Sequence, residues 1–262
     1  MTVQEIYDLL DAFAPFSLQE SYDKSGLLAG DPQSSVTRIL LTLDITVPVI
    51  QEAADKHCEL ILSHHPVIWD PLKAVTPVHP VWHLVRHNIA AICSHTCLDI
   101  AAGGLNDFAG ELISAQIPLT AERAPLEILS GNRTLGRVAA LTAPADADTL
   151  AKKLCAAFSC KPLRYYAGAN AGSIKKIAWC TGSGGDLIPA AIAAGADALI
   201  TGDCKHSVWA EAQNRSFTLF DCGHFETEAP VVQLFQRILR TAGADAELIV
   251  SAEGTKPFFQ AI

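Results

Sequence analysis

The feature that most constrains the fold of this chain is an internal repeat of strand–helix–strand segments. Residues 39–65 align with residues 178–204 at a shift of 139 (203 − 64) without a gap. A third apolar strand repeats at a shift of 129 (224 − 95), which places residues 93–99 over residues 222–228. Such strand–helix–strand units predict neighbouring parallel strands. The repeat therefore predicts two similar α/β domains.

We expect each domain to be a three-layer α/β structure, the first spanning residues 1–127 and the second residues 128–262. Segment 116–132 is polar and contains proline, so it is expected to connect them. The 262 residues, half of them hydrophobic, suffice for two cores. Open α/β sheets bind ligands outside the carboxyl ends of their strands. The functional site is therefore expected at the carboxyl ends of the strands.

Two adjacent histidines, His64 and His65, end the apolar segment 60–62. Pro66 holds the preceding residue in an extended or turn conformation, which allows both rings to overlook one crevice. An isolated pair of this kind can equally be a loop cap without a ligand role. However, other strand ends carry His95 four residues before Asp99 and His224 four residues before Glu228, and a further strand ends at Asp203. This recurrence favours one shared site.

Imidazole and carboxylate ligands without thiolates suit Zn, Fe, Mn or Co. The set is too large for one ion, whereas two divalent ions about 3.5–4 Å apart, bridged by a carboxylate, would use all of it. We expect one ring of His64 and His65 on each ion. Glu228 is the expected bridge, because its side chain is longer than that of Asp99. Two such ions activate water, so hydrolysis is the expected reaction class.

His95 is a candidate catalytic residue, either a general base or a donor behind the ligands. The alternative is a loop histidine that only makes a structural hydrogen bond. The sequence identifies no substrate-binding residue.

Composition excludes several other classes of function. The net charge is −9 and no basic stripe is visible, which argues against nucleic acid as a partner. The first residues lack a signal-peptide pattern, and the apolar stretch 188–200 is too short to span a bilayer. A cytoplasmic protein without a membrane partner is expected. Its eight cysteines form no Cys-x-x-Cys pair and are expected to be reduced thiols, with Cys97 close to the site.

Five motifs stand in order along nearly the whole chain. They are Ser-His64-His65-Pro, Ser-His95-Thr-Cys-Leu-Asp99 with the following Gly-Gly-Leu-Asn-Asp, Gly-Ser-Gly-Gly, Thr-Gly-Asp203-Cys-Lys-His206, and Gly-His224-Phe-Glu-Thr-Glu228. Together they resemble the Nif-three-like family, whose members are often labelled GTP cyclohydrolase type two homologues. The chain departs from the family pattern at Cys97, where Asn is common, and at Tyr22-Asp23-Lys24, where Trp-Asp-Asn is common.

The resemblance implies two α/β domains, a dinuclear metal site in the domain cleft and a toroidal homohexamer. Matched residue by residue, it places the metal ligands at His64, His65, Asp99, His224 and Glu228.

Residues and resemblance together predict a metal-dependent hydrolase that acts on a small, nucleotide-like molecule. The family label implies opening of the purine ring of GTP. An alternative enzyme is a phosphoesterase that uses the same two ions. A non-enzymatic alternative is a metal-binding or regulatory scaffold whose hexamer is the functional object.

Overall fold

The computed structural model describes residues 1–129 and 133–258, which form two compact α/β units. The first unit contains Met1–Ala101 and the described residues from Val231 onward, and the second contains Ala102–Pro230. Each unit is built on one β-sheet. The predicted two-domain α/β fold is therefore confirmed.

The elements occur in the following order. The α-helices of the described residues are α1 (Val3–Phe13), α2 (Val47–Asp55), α3 (Pro80–His87), α4 (Thr96–Ile100), α5 (Leu105–Gln116), α6 (Ala147–Phe158), α7 (Ile188–Ala193), α8 (His206–Asn214), α9 (His224–Glu228) and α10 (Val231–Thr241). The strands are β1 (Gly26–Ala29), β2 (Arg38–Thr42), β3 (Leu60–Ser63), β4 (Ala90–Cys93), β5 (Ala124–Ile128), β6 (Thr134–Ala145), β7 (Arg164–Tyr166), β8 (Ile174–Trp179), β9 (Ala198–Thr201), β10 (Thr218–Asp221) and β11 (Glu247–Val250). Within these described elements, no helix has the length and apolar character needed to cross a bilayer.

The sheet of the first unit has the strand order β1-β4-β3-β2-β11. Strands β2, β3, β4 and β11 run parallel, and β1 runs antiparallel to β4. On one face, Leu40, Ile61 and Ala91 pack against Ile50 of α2 and Leu84 of α3. Parallel strands are covered by helices, so their sequences are continuous apolar runs, as in this sheet.

The chain is divided differently from the predicted boundary at residue 127. Strand β11 pairs with β2, so the C-terminal helix α10 and strand β11 belong to the first unit. Helix α5 belongs to the second unit, where it packs against α6. Sequence order alone suggested that the last elements complete the second domain, but sheet pairing between distant segments determines their place. The predicted connector also contains a strand, β5.

The sheet of the second unit has the order β5-β6-β8-β9-β10-β7, in which β8, β9 and β10 are parallel. Ile177, Ile200 and Phe220 face one hydrophobic cluster, which includes residues of α5 and α6. Ala178 and Leu199 face a second cluster, which includes residues of α7 and α8. Helices therefore cover both faces of this sheet.

The structure confirms the internal repeat but corrects its alignment by one residue. His57 and Gly195 both end a helix-to-strand turn with positive φ (56° and 71°), and they lie 138 residues apart (195 − 57). Asn88 and Ser216 do the same (φ 53° and 50°) at a separation of 128 (216 − 88). The shifts are therefore 138 and 128 rather than 139 and 129.

The core explains why the shorter shift is right. Leu40 packs against α2. A shift of 138 pairs Leu40 with Ala178, which packs in the cluster that contains α7. A shift of 139 pairs it with Trp179, which packs in the cluster on the opposite face of the sheet. A slip of one residue exchanges the two faces of a strand. With the corrected shift His224 is the counterpart of Thr96, and Asp203 is the counterpart of His65.

Glu52 on α2 anchors the segment that follows β11. Its carboxylate accepts hydrogen bonds from Ser251 Oγ (2.6 Å) and from the Ala252 amide (2.8 Å), and it lies 2.6 Å from Lys56 Nζ. Burial alone would raise the pKa of Glu52, but these partners lower it from 4.5 to about 2. The stabilisation is therefore complete above pH 4.5 and is lost as the pH falls towards 2.

We expect Glu52→Gln to lower the free energy of unfolding at neutral pH by about 1–2 kcal/mol, because hydrogen bonds to the carboxylate are lost. Thermal melting followed by circular dichroism from about pH 6 to about pH 3 should show a smaller loss of Tm in the variant than in the wild type, since the linked group is absent. The same dependence of Tm on pH in the variant and the wild type would refute this role of Glu52.

Candidate functional site

Polar side chains of the first unit gather at the carboxyl edge of its sheet. Asp44 follows β2, the pair His64 and His65 follows β3, and His95 follows β4. Strand β1 is antiparallel to β4, with Gly26 opposite Cys93, so residues just before β1 reach the same edge. This topology brings Asp23 beside His95 although they are 72 positions apart in the sequence.

Three imidazole rings form a compact group at this edge. The ring centroids lie 5.3 Å apart for His64 and His65, 5.1 Å for His64 and His95, and 5.5 Å for His65 and His95. Each ring offers a nitrogen within 4.8 Å of the others, which is a geometry that could hold a metal ion. His64 is fully buried, whereas the other two rings are partly exposed.

Each of these rings contacts a hydrogen-bond acceptor through Nδ1. The partners are the Ser94 carbonyl oxygen for His64 (2.8 Å), Asp44 Oδ1 for His65 (2.8 Å) and Asp23 Oδ1 for His95 (2.8 Å). Because a carbonyl or carboxylate oxygen accepts a hydrogen bond but donates none, we assign the Nδ1 proton to each ring. The lone pair of a neutral ring then lies on Nε2, as it does in metal-ligating histidines whose other nitrogen is oriented in this way.

Asp99 lies on the short helix α4 and approaches His64. Its Oδ1 is 3.7 Å from His64 Nε2, and both groups are buried. Two lone pairs at this separation repel each other in a medium of low dielectric constant. A cation between them, whether a proton or a metal ion, turns the repulsion into attraction. The chemistry of this donor pair therefore fits a metal ion.

Asp23 is a residue beside the histidines that sequence reasoning missed. It is only 5% exposed and accepts hydrogen bonds from His95 Nδ1, from Ser25 Oγ (2.9 Å) and from both the amide and the hydroxyl of Thr96 (3.0 and 2.6 Å). Burial favours a raised pKa, but these hydrogen bonds and the charge of His95 hold the pKa of Asp23 well below its usual range. An ionised Asp23 thus fixes the orientation of the His95 ring.

The second unit places a histidine and a carboxylate on one turn of helix. His224 and Glu228 are four residues apart on α9, so their side chains lie on the same face, with 2.9 Å between Nε2 and Oε2. Asp203, which follows β9, lies 2.9 Å from His224 Nδ1. His224 is therefore oriented by a carboxylate in the same manner as His65.

A glycine makes room for the carboxylate of this pair. Gly182 follows β8 with φ +65°, and a Cβ at this position would collide with Glu228 Oε1 and approach His224 Nε2 to 3.5 Å. The Gly182 amide donates to Thr227 Oγ1 (3.0 Å), which ties the turn to α9. The Gly182 turn is thus a cradle for the Glu228 carboxylate, as expected of a carboxylate held in place for a ligand role.

Asp221, at the end of β10, joins the two loops that carry Asp203 and His224. Its carboxylate accepts hydrogen bonds from the amides of Gly223 (3.0 Å) and Cys204 (3.2 Å) and also contacts Arg164. Asp221 is buried, so these bonds are protected from water. Asp221 therefore keeps the two segments in position and stabilises the contact between Asp203 and His224.

All eight cysteines are free thiols, as predicted. Cys97, inside the His95–Asp99 segment, is fully buried and its sulfur lies 3.4 Å from Ser94 Oγ. Burial raises the pKa of Cys97 to about 11, so it is a protonated thiol at neutral pH. It therefore has the properties of a core residue.

The structure thus brings predicted residues together within each unit. His64, His65, His95 and Asp99 come together in the first unit, and His224 and Glu228 in the second. Asp44 and Asp203, which follow strands β2 and β9, both contact a histidine. Their roles in metal binding remain predictions.

Comparison with known proteins identifies relatives along the full length. The family model described as Duf34/NIF3 (NGG1p interacting factor 3) matches residues 1–257. A Clostridium perfringens protein named "GTP cyclohydrolase 1 type 2 homolog" is 32% identical, and the alignment covers 98% of this chain and 99% of the relative. A Campylobacter jejuni protein of the same name is 33% identical over 96% of this chain and 97% of its own.

Solved structures share the fold. The crystal structure of a hypothetical protein from Staphylococcus aureus matches with a TM-score of 0.89 and 24% sequence identity. The match covers 100% of this chain and 99% of the other. At this level of identity, the likeness concerns the fold alone.

Proposed function

This chain belongs to the Duf34/NIF3 family, and we propose that it is a metal-dependent hydrolase with a dinuclear centre. The proposed ligands are His64, His65, Asp99, His224 and Glu228, which would serve two divalent ions chosen from Zn, Fe, Mn and Co. The proposed substrate is a small, nucleotide-like molecule. The name of the relatives suggests that the reaction is opening of the purine ring of GTP. The homohexamer and the cytoplasmic location also remain proposals.

One observation carries the proposal. Each of the three proposed histidine ligands contacts an acceptor through Nδ1, namely the Ser94 carbonyl, Asp44 or Asp203. This pattern directs Nε2 towards a ligand role. Histidines with only a structural role in loops would not need to contact an acceptor through the same ring nitrogen every time. The buried Asp99 and Glu228 carboxylates beside His64 and His224 support the same conclusion.

The residues around the ligands would have separate tasks in the reaction. When bound, two divalent ions lower the pKa of water and polarise an electrophilic group of the substrate. His95 would take up or release a proton at Nε2, because Asp23 holds its Nδ1 proton. Asp44 and Asp203 would keep the rings of His65 and His224 in position. Glu228 would help to hold the ions, with Gly182 leaving space for its carboxylate.

Turnover by metal-loaded protein tests the proposal. We expect hydrolysis of GTP at the purine ring, detected as a new product by liquid chromatography and mass spectrometry. His95→Gln should lower turnover by roughly 10²–10⁴-fold while bound metal is retained, as is typical for loss of a general acid or base.

The alternatives predict other outcomes. Release of phosphate from simple phosphoesters, with GTP ring opening absent, would indicate a phosphoesterase. No turnover of either substrate by protein that retains its metal would contradict the hydrolase proposal and favour the regulatory scaffold.

A further inference from the structure

An aromatic side chain that the chemistry above does not use stands beside the histidine group. Trp69 follows the His64-His65-Pro66 segment by three residues, and the residue is 47% exposed. Its ring centroid lies 5.3 Å from that of His95, with an angle of 88° between the planes. The ring therefore contacts the edge of the site although it is only partly packed.

Trp69 has packed neighbours on two sides, one along the chain and one in space. Val67, two residues earlier, packs against the hydrophobic cluster of the first unit. His95, the ring that Trp69 contacts, is held by the buried Asp23. An aromatic ring that is positioned in this way but left half in water is a preorganised surface for a flat ligand.

We propose that Trp69 is a specificity-determining residue that stacks a planar nitrogen heterocycle, such as a purine base, while the reacting atoms face the histidines. This proposal rests on the proposed function in one respect, because it takes the histidine group as the place of reaction. Stacking on an indole face tolerates any flat base, since every base has a π-face. Trp69 thus selects for ring-containing substrates over simple phosphoesters.

Equilibrium binding to metal-loaded protein tests this role. The probes are guanosine 5′-monophosphate and ribose 5-phosphate, which share the sugar and the phosphate and differ in the base. In isothermal titration calorimetry, Trp69→Ala should weaken binding of the nucleotide about tenfold (about 1.4 kcal/mol). Trp69→Phe should retain most of the affinity, because an aromatic face remains. Binding of ribose 5-phosphate should not change in either variant.

Trp82→Ala is the matched control. Trp82 lies on α3 and is similarly exposed, at 39%. This variant should bind both probes like the wild type. Sedimentation velocity of each variant shows whether Trp69 instead serves contact with a second copy of the chain.

The following results would overturn the proposal. They are wild-type nucleotide affinity in Trp69→Ala, equal losses for both probes, and no nucleotide binding by the metal-loaded wild type. A change of oligomeric state without a change of nucleotide affinity also refutes it. Metal content, measured on the same samples, distinguishes a failure of this proposal from a failure of the metal-site proposal.

Discussion

His64→Ala and Glu228→Ala are each expected to remove most of the bound divalent metal while the chain keeps its fold. We expect metal affinity to fall by more than about 100-fold, because loss of a direct ligand exceeds the 10–100-fold effect of its orienting partners. Asp44→Asn keeps His65 but alters the acceptor at its Nδ1. The loss of metal affinity in this variant should therefore lie within the smaller range of about 10–100-fold. Competition titration against a chromophoric chelator measures all three affinities.

The control is His87→Ala, which removes an exposed histidine at the end of α3. Because His64 is fully buried, its removal also leaves a cavity, so circular dichroism must show that the variant is folded. His65→Ala, at a partly exposed position, provides a second ligand variant should His64→Ala fail to fold. Wild-type metal affinity in both His65→Ala and Glu228→Ala would refute the ligand assignment.

Gly182→Ala is expected to have the second large effect. The residue has φ +65°, and the new methyl group would collide with the Glu228 carboxylate. The variant should lose about 1 kcal/mol of stability from backbone strain alone. Displacement of Glu228 should also weaken metal binding by more than about tenfold, as expected for a misplaced ligand.

Gly195→Ala separates these two effects. Gly195 has a similar φ of +71°, but a Cβ there would meet no atom within 4 Å. This variant should show the same backbone cost without any loss of metal affinity. Equal metal affinity in the two variants would show that the Gly182 turn has no role in placing Glu228.

The sequence predicted the two α/β units and their repeat because parallel, buried strands produce distinctive apolar runs. It could not set the repeat to the residue. Leu40 aligns with an apolar side chain at either shift, Trp179 or Ala178, and only packing against α7 selects Ala178. His224 was therefore taken as the counterpart of His95, whereas it occupies the position of Thr96. The two halves carry their histidines at different backbone positions.

The network behind the histidines was also beyond sequence reasoning. Asp23 reaches His95 because β1 pairs antiparallel with β4, and that pairing joins segments far apart in the chain. The available signal was Tyr22-Asp23-Lys24 at the place where the family commonly has Trp-Asp-Asn. Strand β11 likewise joins the first sheet through a long-range pairing with β2. Local patterns identify elements and strand ends, but distant pairing decides which side chains meet.

Metal analysis tests the central claim most directly. The purified chain would be saturated in turn with Zn, Fe, Mn or Co, freed of unbound ions, and analysed by inductively coupled plasma mass spectrometry against protein concentration. The proposed ligand set predicts two divalent ions per chain for the preferred metal. No retained ion with any of the four metals, or a stoichiometry unchanged in Glu228→Ala, would contradict it.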